Sequence, residues 1–119
     1  MIELRLTGQI RGGKNNMGVT AKGIHYPKKL FAQWSKAAIA EIQGQRRGGD
    51  PILGDEYHWS FTYTPADRRR RDVPAILDAV FHVLERSGVV SDDAIIKNLT
   101  FITLPPDKEN AGMVIRIEG

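Results

Sequence analysis

The sequence predicts a single α/β domain of the α+β type, in which two helices cover a mixed β-sheet. Two segments carry apolar residues at helical spacing, and four segments alternate or are rich in β-branched and aromatic residues. Their order along the chain is β, α, β, α, β, β, and each amphipathic helix needs an apolar sheet face to cover. The chain has 119 residues, the usual size of one domain, so we expect one domain over 1–119.

The first strand is predicted over 2–10, where Ile2, Leu4 and Leu6 alternate with polar residues. A run rich in Gly and Asn follows and continues to about Gly23 without periodicity. We therefore expect a long basic loop over 11–23, and long loops in compact domains are often functional.

The first helix is predicted over about 28–43, with Pro27 suited to its first position. Its apolar stripe consists of Leu30, Phe31, Trp34, Ala38 and Ile42. The sequence GQRRGGDP ends it, and the aromatic and Thr-rich segment 56–64 is a strand bounded by Pro65.

The second helix has the clearer pattern, because Leu77, Val80, Phe81 and Leu84 fall on one face. Pro74 fits its first turn, and Gly88 fits just beyond its end. Two further strands, about 95–104 and 113–118, are separated by the turn PPDKENAG.

Charge is distributed unevenly along the chain, whose formal charge is +3 and whose pI is near 9.4. Residues 1–49 carry nine Lys and Arg against two Glu, a balance of +7, and residues 50–119 carry eight bases against twelve acids, a balance of −4. A basic half suits phosphates and an acidic half suits cations, although the two halves can equally be ordinary solvated faces.

Several function classes are excluded by composition and motif. The chain has no cysteine, which leaves neither a disulfide framework nor a thiolate zinc site. No P-loop and no Gly-x-Ser-x-Gly elbow are present, so we expect no nucleotide cofactor. No apolar stretch is long enough for a membrane span, and the N-terminus lacks a secretory pattern, so we expect a cytoplasmic protein with no membrane partner.

Four adjacent arginines, Arg68 to Arg71, lie among carboxylates. Such a run is costly through repulsion unless a polyanion or nearby acids offset it, which suggests phosphate contacts. The carboxylates of this constellation are Asp67, Asp72, Asp78, Asp92 and Asp93. If the two loops flanking the second helix return to one sheet edge, these groups can gather around Mg²⁺.

Each of these residues also has a plain structural interpretation. Asp72 favours the dipole at a helix N-terminus, and Asp92 and Asp93 are ordinary turn residues. Asp78, His82 and Arg86 form an ionic ladder on one helix face.

The segment PADRRRRDVPAILDAVFHVLERSGVVSDDAIIKNL resembles the core of the RusA family of Holliday-junction resolvases, which are small, dimeric, Mg²⁺-dependent DNA endonucleases of bacteria and prophages. The arginine run, the helix, Gly88 and the Asp92-Asp93 pair all fall in register. The motif content is strong across about 64–99, and a looser similarity extends over most of the chain.

The resemblance assigns roles residue by residue. Asp72 and Asp93 stand at the first and last metal-binding carboxylates, with Asp92 as a further metal ligand, and Asp78 joins Asp72 and Asp93 as a catalytic candidate. Pro74, Ala75 and Asp78 stand where the family has Asp, Asn and Lys. The residues expected to contact DNA are Arg68, Arg69, Arg70, Arg71, Lys14, Asn15, Asn16 and Lys22.

The resemblance implies a homodimer that binds four-way DNA junctions and, with Mg²⁺, nicks two opposing strands. The departures at residues 74, 75 and 78 leave a second hypothesis, a junction-binding relative that does not cut. A third, a basic domain that binds RNA or an acidic protein, depends on pI alone.

Overall fold

The computed structural model describes residues 1–12, 17–19, 25–27 and 29–119, the two short segments through their backbone. The predicted DNA contacts Lys14, Asn15, Asn16 and Lys22 lie outside the described residues. No helix of the described part is both long and apolar enough to cross a membrane.

Six strands, two α-helices and one 3-10 helix make up the described chain. They are β1 (Ile2–Thr7), β2 (Met17–Val19), β3 (His25–Pro27), α1 (Lys29–Arg46), β4 (His58–Thr64), α2 (Val73–Arg86), the 3-10 helix Asp93–Ile95, β5 (Asn98–Thr103) and β6 (Gly112–Glu118). The main sheet has the strand order β1-β6-β4-β5. Strand β6 runs antiparallel to both β1 and β4, whereas β4 and β5 are parallel. This confirms the predicted mixed sheet with two helices.

The core lies between the helices and one face of the sheet. Trp59, Phe61 and Tyr63 alternate along β4 and are all buried, because period-two alternation sends every second side chain of a strand to the same face. Helix α2 covers them with Val80, Val83 and Leu84, each fully buried. Burial of each such side chain contributes about 1.5–3 kcal/mol of hydrophobic stabilisation.

Helix α2 has the bounds that the sequence pattern indicates. It begins after Asp72, with Pro74 in its first turn, where the missing proline N–H has no intrahelical partner to lose. It ends at Arg86, and Gly88 then adopts a φ of +85°, which glycine tolerates without strain.

The structure differs from the sequence expectation in the basic loop. The prediction of an unbroken loop over 11–23 is wrong, because β2 lies within it and pairs antiparallel with β3. Pro27, expected to begin the first helix, is the last residue of β3, and the helix begins at Lys29. A three-residue strand is too short to show a periodic pattern, and its pairing depends on backbone groups that every residue type except proline carries fully.

The ends of two other strands also differ. Strand β1 stops at Thr7 instead of residue 10, because Gly8 turns the chain with a φ of +86°. Strand β5 begins at Asn98 instead of about residue 95, because Asp92 caps the 3-10 helix by accepting a hydrogen bond from the Ala94 N–H at 2.9 Å.

Candidate functional site

The C-terminal ends of three strands lie on the same side of the main sheet, and we use the word edge here for this side, which is formed by strand ends. Strands β1 and β4 both run antiparallel to β6, and β5 runs parallel to β4, so β1, β4 and β5 all point the same way. The segments that leave these three strands are 8–12, 65–72 and 104–107, and we call them together the arginine edge. It contains Arg11 and the whole arginine run.

The side chain of Gln9 links segment 8–12 to segment 65–72 through hydrogen bonds. Its side-chain amide donates to the Tyr63 hydroxyl and to the Ile10 carbonyl, and its Oε1 accepts from the Ala66 N–H at 2.7 Å. The third segment is attached by the backbone, because Asp107 N–H donates to the Pro65 carbonyl at 2.9 Å. The start of the arginine run is therefore held against both neighbouring segments.

Asp67 organises the arginine run from within. Its Oδ1 lies 2.8 Å from the Arg71 guanidinium and accepts the Arg69 N–H at 3.0 Å. The Arg71 hydrogen bond, with the backbone bond from Arg69 second, holds the pKa of the Asp67 carboxyl below its ordinary value of 3.8. The Arg71 side chain is only 20% exposed, whereas that of Arg69 is 84% exposed. The run thus has one anchored member, and Arg68, Arg69 and Arg70 face solvent.

A cavity of about 280 Å³ opens between the arginine edge and the N-terminus of α2. Arg11, Arg69, Arg70 and Arg71 line it together with Asp72. The first turn of α2 carries no acidic residue, and the Asp72 side chain does not cap the helix. Guanidinium groups beside a helix N-terminus attract anions, so this cavity is chemically suited to a phosphate group.

Asp93 and Asp92 lie at the opposite end of α2. Asp93 N–H donates to Glu85 Oε1 at 3.0 Å, and Glu85 is in the last turns of the helix. Carboxylate oxygens of Glu85, Asp92 and Asp93 all lie within 4.8 Å of one another, and we call these three residues the acidic cluster. Three carboxylates with added waters match the oxygen ligation that Mg²⁺ prefers.

Sequence reasoning missed Glu85 as a member of this cluster. A signal was present, because only six residues separate Glu85 from Asp92, too few to carry the chain away from the end of the helix. The Gly88 turn at that point sends the chain back past the last helical turn.

The expectation that Asp72 and Asp93 gather at one sheet edge is wrong for a single chain. The 14 residues of α2 separate them, a length of about 20 Å at the usual helical rise. The cause is the crossover between parallel strands, since the loop before α2 leaves the end of β4 and the loop after α2 enters the beginning of β5. Asp72 therefore belongs to the arginine edge, and Asp92 and Asp93 belong to the other edge.

Asp78 lies between these two ends. It is exposed on α2, about 9 Å along the helix axis from Asp72. His82 follows one turn later and packs against the Phe31 ring of α1 with centroids 5.8 Å apart. His82, one of the three residues expected to form an ionic ladder on α2, therefore contacts α1.

The fold and the arginine edge together define a small α+β protein whose sheet edge carries a phosphate-suited cavity. No family model matches the chain. The chain is 26% identical over 106 residues to the crossover junction endodeoxyribonuclease RusA of Aquifex aeolicus (strain VF5), in a match that covers 87% of this chain and 81% of that protein. The similarity supports the resemblance to the RusA family that the segment 64–99 indicates.

Proposed function

We propose that this protein is a structure-selective endodeoxyribonuclease that resolves Holliday junctions with the help of Mg²⁺. The observation that carries the proposal is the arginine edge, where a guanidinium-lined cavity, a helix N-terminus and Asp72 occur together. The similarity to RusA of Aquifex aeolicus supports branched DNA as the polyanion. An enzyme with this substrate would work in the cytoplasm of a bacterium, whether encoded by the chromosome or by a prophage.

The arginine edge binds the DNA backbone in this proposal. Arg68, Arg69 and Arg70 reach solvent and can each pair with a phosphate, while Arg71 keeps the loop in shape through Asp67. Lys14, Asn15, Asn16 and Lys22 lie outside the described residues, and their proposed role in DNA contact depends on the sequence alone.

Magnesium, when bound, lowers the pKa of a water ligand and neutralises charge on the leaving oxygen. Asp92 and Asp93, joined by Glu85, offer oxygen ligands in the acidic cluster, and Asp72 offers one beside the arginines. Because α2 separates these ligands by about 20 Å, Asp72 and Asp93 can serve one ion only when they come from two different copies of the chain. A homodimer, which two symmetric nicks also require, satisfies both conditions.

A second candidate function is junction binding without cleavage. The specific observations that favour it are Pro74 and Asp78, which stand at the Asp and Lys positions of the family motif, and the separation of Asp72 from the acidic cluster within one chain. Asp78 adds a carboxylate about 9 Å along the helix axis from Asp72, but it does not supply the positive charge of a lysine.

A labelled four-way junction incubated with Mg²⁺ distinguishes the two candidates. We expect paired symmetric nicks from the unaltered protein and their loss in Asp72→Asn and in Asp93→Asn. The matched control is Asp50→Asn, an exposed aspartate outside the arginine edge and the acidic cluster, which should cut normally. Junction binding that persists without any nick, in the unaltered protein and in all variants, would replace the nuclease with the binding function.

A further inference from the structure

We propose that the groove between α1 and α2 is a docking site for an acidic, amphipathic helix of a partner protein. The groove has a volume of about 600 Å³ and is lined by side chains of both helices. None of the residues that line it belongs to the arginine edge or to the acidic cluster. The inference therefore goes beyond the proposed function and does not depend on it.

The floor of the groove is apolar. Phe31 and Ile39 lie about two turns apart on α1 and pack against the core, yet both remain partly exposed where they line the groove. His82 of α2 contacts the Phe31 ring from the other helix, with centroids 5.8 Å apart. Ala32 and Ala40 are exposed beside them, and such small side chains let another backbone approach closely. An apolar floor of this kind is typical of a surface that receives a helix.

The rim of the groove is basic, with one cation on each helix. Lys36 of α1 and Arg86 of α2 both line the groove and are exposed. Within the part of the chain that the structure describes, neither side chain forms an ion pair or a hydrogen bond, so Arg86 stays outside the ionic ladder expected on α2. Among the described residues that line the groove, none is acidic. Both cations are therefore available to carboxylates of a partner.

The shape of the groove suits a helix. Its lining on α1 extends from Phe31 to Gln43, a length of about 18 Å at the usual helical rise, which matches about three turns of a second helix. The walls are themselves helices, whose backbone groups are already paired, so an extended chain would find no backbone partners there. A helix satisfies its own backbone groups. A small molecule needs a cavity that encloses most of its surface, whereas this groove is open to solvent.

Charge and apolar surface together select the chemistry of the partner. A basic helix is disfavoured, because it would bring like charges next to Lys36 and Arg86. A nucleic acid matches these cations but not the floor, since its charged backbone has no apolar stripe to cover Phe31 and Ile39. Carboxylates on both sides of an apolar stripe match the rim and the floor at once. The partner helix is therefore acidic and amphipathic.

Fluorescence anisotropy with a designed peptide tests the docking site on the full chain. The probe is a labelled peptide of about 18 residues, with leucine at every third or fourth position and glutamate on both sides of that stripe. We expect saturable binding that weakens as salt rises, because salt screens the ion pairs at the rim. A scrambled peptide of the same composition lacks the apolar stripe and should not bind.

Variants of the protein locate the binding in the groove. Ala32→Trp fills the groove from an exposed position and should raise the dissociation constant about tenfold or more, whereas Ala37→Trp, exposed on the same helix but outside this groove, should leave it unchanged. Lys36→Glu combined with Arg86→Glu should weaken binding about tenfold, because two attractions become repulsions. The same double variant should prefer a peptide with lysine in place of glutamate. Lys108→Glu, exposed in the turn before β6, is the charge control.

The outcomes separate this inference from the proposed function. Absent binding, equal binding of the ordered and scrambled peptides, or equal losses in Ala32→Trp and Ala37→Trp overturn the docking site even if junctions are still cut. Binding that ignores the charge reversal overturns the acidic partner. If sedimentation shows that Ala32→Trp dissociates copies of the unaltered chain from one another, the groove is covered by a second copy, and partner docking is overturned. Groove binding by a protein that leaves junctions uncut supports the docking site and overturns the nuclease.

Discussion

Replacing Gln9 with alanine should loosen the arginine edge and lower the free energy of unfolding by about 2 kcal/mol. The Gln9 side chain makes three hydrogen bonds, to the Tyr63 hydroxyl, the Ile10 carbonyl and the Ala66 N–H. A hydrogen bond contributes a net ~0.5–1.5 kcal/mol, and an abandoned buried partner costs about 1–3 kcal/mol. Tyr63 is only 3% exposed, so its hydroxyl is the costly partner, whereas water can reach the more open Ala66 N–H. The sum, moderated by that water, is about 2 kcal/mol, roughly thirtyfold in the ratio of folded to unfolded protein.

Urea unfolding followed by tryptophan fluorescence measures this change, because the buried Trp59 reports on the core. With a slope of about 2 kcal/mol per molar urea for a small domain, the midpoint should fall by about 1 M. Gln33→Ala, the same substitution at an exposed site on α1, is the control. Tyr63→Phe combined with Gln9→Ala should cost less than the sum of the two single changes, by about 1 kcal/mol. Strict additivity, or a midpoint equal to that of Gln33→Ala, would refute the idea that Gln9 fastens the loop.

Three further changes test the core, the loop and the interface with DNA. Leu84→Ala should lower the free energy of unfolding in urea by about 2–5 kcal/mol, because the Leu84 side chain is fully buried. Leu53→Ala, at a site 73% exposed, should change it very little, and equal changes would contradict the assignment of the core. Arg71 lowers the pKa of the Asp67 carboxyl, so the stabilisation by this pair is complete above pH 3.8 and is lost as pH falls through the lower pKa of the folded state. When the free energy of unfolding is measured against pH, the values for Asp67→Asn and the unaltered protein should converge in strong acid, and a constant difference between them would refute this. Arg69→Gln should reduce the slope of log affinity for a junction against log salt by about 0.9, and an unchanged slope would remove Arg69 from the phosphate contacts.

The two ends of α2 lie at opposite edges of the sheet, and each end carries charged groups of a different kind. The N-terminal end has the arginines, a helix dipole and Asp72, a combination that attracts phosphate. The C-terminal end has three carboxylates that attract a cation. This separation within one chain is the reason why the proposed function places Asp72 and Asp93 of two different copies at one ion.

Much of the fold could be predicted because the local periodicity of apolar side chains indicates the helices and strands. Leu77, Val80, Phe81 and Leu84 mark one face of α2, and the structure indeed buries Val80 and Leu84 fully. Pro74 and Gly88 mark the ends of this helix through backbone constraints that act within a few residues. Alternation along Ile2, Leu4 and Leu6 likewise indicates which side of β1 faces the core.

The hairpin of β2 and β3, the role of Gln9 and the membership of Glu85 could not be predicted in this way. Each depends on contacts between residues that carry no periodic signal, and Gln9 reaches a partner 57 positions away. Asp72 and Asp93 show the same limit, because their spacing along the chain does not reveal on which side of a crossover each of them emerges.

The sequence by itself determined the four strands of the main sheet, the two helices, their order and the presence of an arginine run among carboxylates, since side-chain periodicity and backbone constraints act over a few residues. Tertiary structure alone decided which charges meet. The parallel arrangement of β4 and β5 sends the two loops of α2 to opposite edges, so the arginine run and Asp72 are separated from Asp92 and Asp93 by the length of a helix.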